Sequence, residues 1–195
     1  MFENMKEEVV SYAKQSYKEQ LFAGTSGNLS MFDRETGVMA ITPSSLSYKV
    51  MTAEDIVLMK LDGTVVEGKH KPSSEWRLHK AVYQSKPEVG AVVHTHSPYA
   101  TGFAVSHEEI PMILVEMMLF LGGNVRVADF AMNGTEELGT AVVKALDNRL
   151  ACTMANHGAL AIGENLKKAH LSAVYLEDVA KIYCLVPDKD KIHII

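Results

Sequence analysis

The sequence predicts an α/β fold, because amphipathic helical segments and short apolar strands are interspersed along the whole chain. Of its 195 residues, 47% are hydrophobic and 22% are charged, which is typical of a globular protein with a hydrophobic core. The chain contains no internal repeat, linker or low-complexity segment. We therefore expect a single domain over residues 1–195.

Apolar residues at helical spacing, together with residues that cap helix ends, predict the helices. The longer ones are residues 4–22, a helix begun by Ser73 or Ser74 with Glu75 in its first turn, residues 135–146 capped by Thr135, and residues 165–186. Shorter helices are expected after Ser97-Pro98 and within residues 110–121, and Gly122-Gly123 should terminate the second of them.

Short apolar runs bounded by Gly, Pro, Asp and Asn predict the strands. These runs are a strand beginning at Leu29, a hairpin over residues 32–41, and strands at residues 56–60, 91–96, 124–130, 151–157 and 159–163.

Composition and charge exclude several classes of function. The net charge of −5 provides no excess of cations to neutralise phosphates, which argues against binding to nucleic acid. The most apolar window, residues 110–121, is too short for a membrane span and contains Glu116. Residues 1–8 are acidic and unlike a signal peptide, and Cys152 and Cys184 are expected to be buried thiols. We expect a cytoplasmic protein that binds neither nucleic acid nor membranes.

Two histidines, His94 and His96, follow the apolar residues of one predicted strand. Side chains alternate along a strand, so both imidazoles face the same side and can share a metal ion. An isolated His-x-His is equally typical of a buried strand, and a metal site therefore needs further ligands. His157 ends a second strand, and Glu75 begins a helix. Three histidines and a carboxylate match the donor set of Zn²⁺, and Mn²⁺, Co²⁺ or Ni²⁺ are also compatible.

The other five histidines lie in predicted loops or on helix faces and are expected to be solvated; they are His70, His79, His107, His170 and His193.

Three polar loops are rich in small hydrogen-bond donors. They are Gly24-Thr25-Ser26-Gly27-Asn28, Thr42-Pro43-Ser44-Ser45 and Pro72-Ser73-Ser74-Glu75. Glycines allow successive N–H groups to point the same way, and such loops, like free N–H groups at a helix start, bind phosphate. Each loop taken alone is as typical of an ordinary turn or helix cap.

In their order and separations, the three loops, His94-Thr95-His96 and Asn156-His157-Gly158 resemble the class II aldolase and adducin head family, and within it the L-fuculose-1-phosphate aldolase branch. The resemblance covers residues 4–186. It implies a three-layer α/β/α fold with a central, largely antiparallel sheet, and a homotetramer with active sites between subunits. It also implies metal-dependent cleavage of a ketose or deoxyketose 1-phosphate, such as L-fuculose 1-phosphate, into dihydroxyacetone phosphate and an aldehyde.

Carried over to this chain, the resemblance implies two sets of site residues. The zinc ligands are Glu75, His94, His96 and His157, and the phosphate-binding positions are Gly27, Asn28, Ser44, Ser45, Ser73 and Ser74. Glu75 is also the acid/base residue of the family.

The chain departs from the branch on the far side of the cleft. Fuculose enzymes place a tyrosine of the neighbouring subunit in the segment equivalent to residues 110–116, where this chain has Val115 and Glu116. A second tyrosine, in the longer tail of those enzymes, is expected to be absent. In the related methylthioribulose-1-phosphate dehydratases a glutamate in about this region is the acid/base. Glu116 is therefore a candidate catalytic residue, and a glutamate at the surface or at a subunit interface is the alternative.

The resemblance leaves three alternative functions. They are a pentulose-phosphate 4-epimerase of the ribulose-5-phosphate type, a lyase like the dehydratases, and a noncatalytic module like adducin. The epimerases usually have aspartate at the position of Glu75, which favours the aldolase. The adducin branch lacks the metal histidines, all three of which are present here.

Overall fold

The computed structural model describes residues 2–195, in which eight strands form one sheet with helices on both faces. The helices are α1 (Phe2–Lys18), α2 (Trp76–Ser85), α3 (Pro98–Ser106), α4 (Glu116–Phe120), α5 (Glu136–Leu146) and α6 (Leu166–Leu185). The strands are β1 (Asn28–Asp33), β2 (Val38–Ile41), β3 (Val57–Lys60), β4 (Val65–Glu67), β5 (Ala91–Thr95), β6 (Arg126–Ala128), β7 (Ala151–Met154) and β8 (Gly158–Gly163). Short 3-10 helices cover Ala53–Asp55 and Lys189–Lys191.

The strands follow the order β4-β3-β2-β1-β5-β8-β7-β6 across the sheet. Neighbouring strands are antiparallel, except that β6 and β7 are parallel. The predicted central, largely antiparallel sheet is confirmed. β1, β5 and β8 lie side by side in the sheet; Asn28 begins β1, His94 lies in β5 and His157 precedes β8.

Two hydrophobic cores, one on each face of the sheet, give the fold its three layers. Helices α1, α3, α4 and α6 pack on one face, and α2 and α5 pack on the other. Strand alternation divides the side chains between them, since Ala40 belongs to the first core while Met39 and Ile41 belong to the second. The three-layer α/β/α architecture is therefore confirmed.

Several predicted boundaries are corrected by the structure. Helix α1 ends at Lys18 because the chain turns at Gln20, which has a φ of +63°. The predicted strand over residues 124–130 is limited to β6. Glu75, rather than Ser73 or Ser74, is the residue before α2, because Trp76 N donates to Ser73 O at 3.2 Å in a turn that precedes the helix.

One of the two cysteines also differs from expectation. Cys152 is buried, as predicted, but Cys184 is exposed because it lies on the outer side of α6. Within residues 2–195, no helix combines the length and apolarity that a membrane crossing requires.

Helix α2 carries Glu75 at its start, and Arg34 fixes its other end. The Arg34 Nη2 donates to three carbonyl oxygens at that end, those of Tyr83 (3.1 Å), Lys86 (2.8 Å) and Val89 (3.0 Å). A guanidinium there also interacts favourably with the negative end of the helix dipole. We expect Arg34→Ala to lower the free energy of unfolding by about 2 kcal/mol in urea denaturation.

Arg126→Ala is the matched control. Arg126 makes a surface ion pair with Asp147 at 3.1 Å and caps no helix, so this variant should change stability far less than Arg34→Ala. Equal unfolding midpoints for the two variants would contradict the role given to Arg34.

Candidate active site

The four proposed metal ligands lie at one end of the sheet, although they are distant in sequence. His94 is the penultimate residue of β5, and its backbone is paired with Asn28 of β1 on one side and Leu160 of β8 on the other. His96 follows the end of β5, and His157 lies in the turn between β7 and β8. The structure thus brings the histidines to the place where Glu75 begins α2.

The potential ligand atoms of Glu75, His94, His96 and His157 all lie within 4.8 Å of one another. His94 Nε2 lies 3.0 Å from Glu75 Oε2 and 3.0 Å from His96 Nε2, and His157 Nε2 lies 3.3 Å from Glu75 Oε1. Tetrahedral Zn²⁺ with ordinary bond lengths separates its ligand atoms by about 3.3 Å. The distances therefore fit a four-coordinate metal ion.

His94 is oriented by its backbone surroundings. Its side chain is fully buried, and Nδ1 lies 2.9 Å from the carbonyl oxygen of Ala159, to which it donates. The proton on Nδ1 leaves the Nε2 lone pair free for a metal ion. Gly158 is required nearby, because a Cβ there would collide with Thr95 O and approach His94 Cε1 at 3.2 Å.

Glu75 fits a bound cation. Its side chain is buried, and Oε2 accepts a hydrogen bond from Asn28 Nδ2 at 3.0 Å. The other oxygen, Oε1, is buried without a hydrogen-bond partner among residues 2–195. Burial favours the neutral acid, but His94, His157 and Asn28 outweigh it and hold the pKa of Glu75 well below its usual range. An ionised, buried carboxylate with an oxygen that accepts no hydrogen bond is a suitable metal ligand.

The pKa values of the three histidines shift in different directions. Burial and the neighbouring His94 and His157 lower the pKa of His96 to about 4. Burial, with His94 beside it, also lowers the pKa of His157. For His94 burial acts in the same direction, but the Glu75 carboxylate outweighs it and raises the pKa. The neutral forms of His96 and His157 are those that bind metal ions.

A cavity of about 220 Å³ adjoins the histidines and is lined by residues from all three polar loops. The lining includes every predicted phosphate position, namely Gly27, Asn28, Ser44, Ser45, Ser73 and Ser74, together with Glu75, His96, His157 and Asn133. Among the lining residues that the structure describes, none is Lys or Arg. A larger cavity of about 840 Å³, lined by Arg149 and Lys189 among others, contains none of the motif residues.

The first loop has a shape that only glycine allows at Gly27. Its φ is +90°, and a Cβ there would lie 2.9 Å from Cγ of the Phe22 ring. The buried Tyr48 hydroxyl donates to Gly27 O at 2.5 Å and anchors the loop to the protein interior. Burial and the Glu75 charge both raise the pKa of Tyr48, so this hydroxyl stays protonated.

The positions of several residues were not predicted, were predicted wrongly or leave the prediction untested. Asn133, from the segment between β6 and α5, lines the cavity although no sequence pattern marked it. His79 and His170 were expected to be solvated, but His79 is fully buried in α2 and His170 is buried in α6. Glu116 is exposed at the start of α4 and does not line the cavity formed by residues 2–195 of one chain, so its catalytic role stays a prediction.

Comparison with known proteins places these features in a family. The model of the Class II Aldolase and Adducin N-terminal domain matches residues 7–184. The chain is 40% identical over 183 residues to the 5-deoxy-D-ribulose 1-phosphate aldolase of Bacillus thuringiensis serovar kurstaki, covering 94% of this chain and 85% of the relative. It is 39% identical over 160 residues to the L-fuculose phosphate aldolase of Escherichia coli K12, covering 82% and 73%.

A solved structure of an L-fuculose 1-phosphate aldolase superposes with a TM-score of 0.93 at 41% identity, covering 98% of this chain and 90% of the other. The sequence and the fold agree with this family. The chain therefore belongs to the class II aldolase and adducin N-terminal domain family.

Proposed function

We propose that this chain is a metal-dependent aldolase, a single class II aldolase-like domain that cleaves a ketose or deoxyketose 1-phosphate into dihydroxyacetone phosphate and an aldehyde. The observation that carries the proposal is the cluster of Glu75, His94, His96 and His157 beside a cavity lined by hydroxyl groups. Zn²⁺ is the metal that the donor set favours, with Mn²⁺, Co²⁺ or Ni²⁺ as substitutes.

The names of the relatives support the substrate class. One acts on 5-deoxy-D-ribulose 1-phosphate and the others on L-fuculose phosphate or L-fuculose 1-phosphate. The first and the last of these names specify a ketose that carries its phosphate on C1. We therefore infer that the present chain recognises the phosphate end strongly and the aldehyde end more loosely.

The charge of the site supports a bound cation. A phosphate in the 220 Å³ cavity would lie near the ionised Glu75, with no Lys or Arg among the described lining residues to offset the repulsion. A divalent metal ion on Glu75 and the three histidines would supply that positive charge and, as a Lewis acid, stabilise negative charge developing on the ketose oxygens. The loop hydroxyl and N–H groups would then hold the phosphate itself.

Glu75 is suited to move the proton of the reaction. Its Oε2 is held by Asn28, while Oε1 has no hydrogen-bond partner in residues 2–195. In cleavage the C3–C4 electron pair stays on C3, and the proton leaves the C4 hydroxyl as the aldehyde forms. Returning that proton to C3 completes dihydroxyacetone phosphate, and a carboxylate that accepts and then donates it balances the reaction.

The proposal includes a homotetramer with active sites between subunits, in which Glu116 comes from the neighbouring chain. Beside Glu116 on α4 lie three exposed apolar side chains, Val115, Met118 and Leu119, with exposed fractions of 64%, 58% and 70%. A contiguous apolar surface of this kind favours contact with another subunit. Glu116 would then be the acid or base on the side of the cleft opposite Glu75.

Mixed oligomers test the origin of Glu116. We expect Glu116→Gln to lower kcat by about 10²-fold, as loss of a general acid or base does. When Glu116→Gln and Glu75→Gln chains are co-expressed with different tags, about one quarter of the sites regain both carboxylates if Glu116 acts from the partner. Activity in the doubly tagged oligomer should therefore exceed that of either variant, and no recovery would contradict the assignment.

The phosphate loops predict a separate effect on binding. Ser44→Ala combined with Ser74→Ala removes two hydroxyl groups from the cavity. The double variant should bind inorganic phosphate roughly 10- to 100-fold more weakly, or show a KM for the ketose 1-phosphate raised by the same factor. Calorimetric titration with phosphate measures the change. Ser47→Ala is the control, because Ser47 lies outside the cavity lining, and equal phosphate affinities in all three proteins would contradict the assignment.

The type of reaction is tested by incubating zinc-loaded protein with ketose 1-phosphates and with ribulose 5-phosphate, followed by mass spectrometry and by NMR spectroscopy, which distinguishes the C4 epimers. An aldolase yields dihydroxyacetone phosphate and an aldehyde. A product of unchanged mass with inverted C4 would indicate an epimerase, and a product lighter by one water would indicate a dehydratase. Either result, or no reaction, would overturn the proposal.

A further inference from the structure

A chain of buried hydrogen bonds extends from Glu75 away from the histidine cluster. Asn28 Nδ2 donates to Glu75 Oε2 at 3.0 Å, and Asn28 Oδ1 lies 2.5 Å from His79 Nε2. His79 Nδ1 lies 2.7 Å from Ser30 Oγ, which lies 2.7 Å from the Tyr83 hydroxyl. All five side chains are buried, and His79 is fully inaccessible. The sequence motifs of the site do not include His79, Ser30 or Tyr83.

The chain arises from the periods of one helix and one strand. Glu75, His79 and Tyr83 are spaced by four residues, so they lie on one face of α2 and the turn before it. Asn28 and Ser30 are separated by two residues in β1, so their side chains point to the same side of the sheet. The polar face of α2 therefore packs directly on two polar positions of β1.

The donors and acceptors are consistent along the whole chain when Glu75 is ionised. Asn28 must present Nδ2 to the carboxylate, so its Oδ1 accepts from His79 Nε2–H. His79 then accepts at Nδ1 from the Ser30 hydroxyl, and the Tyr83 hydroxyl shares its proton between Ser30 Oγ at 2.7 Å and the Ser30 carbonyl oxygen at 3.0 Å. Burial and the nearby His94 lower the pKa of His79 to about 3, which keeps the imidazole neutral. The hydrogen bond to Asn28 Oδ1, which can only accept, then assigns its single proton to Nε2.

Two contacts, one with Glu75 and one with His79, fix the orientation of the Asn28 amide. An amide rotated by half a turn would place Oδ1 beside the Glu75 carboxylate, where two acceptors would face each other. His79 Nε2–H removes that alternative, because the rotated amide would offer it a second donor. The consequence for Glu75 is that Oε2 is held in place while Oε1 stays free of hydrogen bonds within residues 2–195.

We propose that His79 is a positioning residue of the metal centre, which fixes the Asn28 amide and through it the Glu75 carboxylate. The proposal rests on the metal centre proposed above but not on the reaction. Partners that orient a metal ligand typically contribute 10- to 100-fold to metal affinity. A histidine that merely fills the core would contribute to stability and leave metal affinity unchanged.

The test is the affinity of the metal-free protein for Zn²⁺, measured by competition with a chromophoric chelator. We expect His79→Leu to weaken Zn²⁺ binding by about 10- to 100-fold. His79→Gln should bind more tightly than His79→Asn, because a glutamine amide nitrogen reaches the position of Nε2, whereas that of asparagine reaches only the position of Nδ1. This comparison decides the question even if His79→Leu does not fold.

His170→Leu is the matched control. His170 is also buried, but it lies on α6 with Nε2 3.0 Å from Glu19 Oε2, on the other face of the sheet. This variant should lose thermal stability while keeping the Zn²⁺ affinity of the unaltered protein. Unchanged affinity in His79→Leu, or equal affinities in His79→Gln and His79→Asn, would overturn the proposal. Zn²⁺ affinity is measured without substrate, so a failure to cleave ketose 1-phosphates would leave this result standing.

Discussion

Glu75→Gln should abolish turnover while the fold stays intact. The substitution removes the charge that completes the donor set with His94 and His157, and it removes the group that accepts and returns the proton. We expect kcat to fall by at least about 10³-fold, near the upper range for a general acid or base. Initial rates of dihydroxyacetone phosphate formation measure the loss, and circular dichroism verifies the fold.

Glu54→Gln is the control for this variant. Glu54 lies in the 3-10 helix Ala53–Asp55 and contacts Lys69 at the surface, remote from the cavity lining, so its turnover should equal that of the unaltered protein. Turnover of Glu75→Gln within a few-fold of Glu54→Gln would remove Glu75 from its assigned role.

Removal of the metal should have an effect of similar size. After dialysis against dipicolinate we expect activity to fall by at least about 100-fold, because the Lewis acid contributes several kcal/mol to stabilisation of the developing charge. Addition of Zn²⁺ should restore it, and Mn²⁺, Co²⁺ or Ni²⁺ should restore it to different extents. Full activity in protein shown by elemental analysis to be metal-free would contradict the account.

The same metal should stabilise the fold, which gives a readout independent of activity. Because the ligands come together only in the folded chain, Zn²⁺ at about 100 times its Kd should add about 2.7 kcal/mol to the free energy of unfolding. His157→Gln removes one of the four ligands and should lose most of that increment. An equal zinc-dependent rise in Tm in His157→Gln and in the unaltered protein would place the metal elsewhere.

Local periodicity made much of the site predictable. The predicted strands 91–96 and 151–157 end at Thr95 and Met154 in the structure, so His96 and His157 lie just beyond β5 and β7. Their ligand atoms nevertheless lie within 4.8 Å of that of His94, as the prediction of a shared site requires. The order of the motifs resembled one family, and the match of residues 7–184 to its model confirms the family. The prediction of a central, largely antiparallel sheet rested on that resemblance, because strand order depends on long-range pairing that local patterns do not specify.

The buried network behind Glu75 was missed for a physical reason. His79 looks like a residue of a solvated helix face, because burial depends on what packs against that face. The spacing of Glu75, His79 and Tyr83 was the available signal, since three such side chains on one helical stripe face a common partner. Asn133 offered less, because its position at the cavity depends on a loop conformation, and the role proposed for Glu116 requires a second subunit.

The central claim is tested most directly by measuring both products of zinc-loaded protein with 5-deoxyribulose 1-phosphate and with L-fuculose 1-phosphate. Metal-free protein and Glu75→Gln serve as blanks. The account predicts that dihydroxyacetone phosphate and an aldehyde appear in equal amounts from at least one of these ketose 1-phosphates, and only in the zinc-loaded, unaltered protein. Formation of neither product, or equal formation in the blanks, would contradict it.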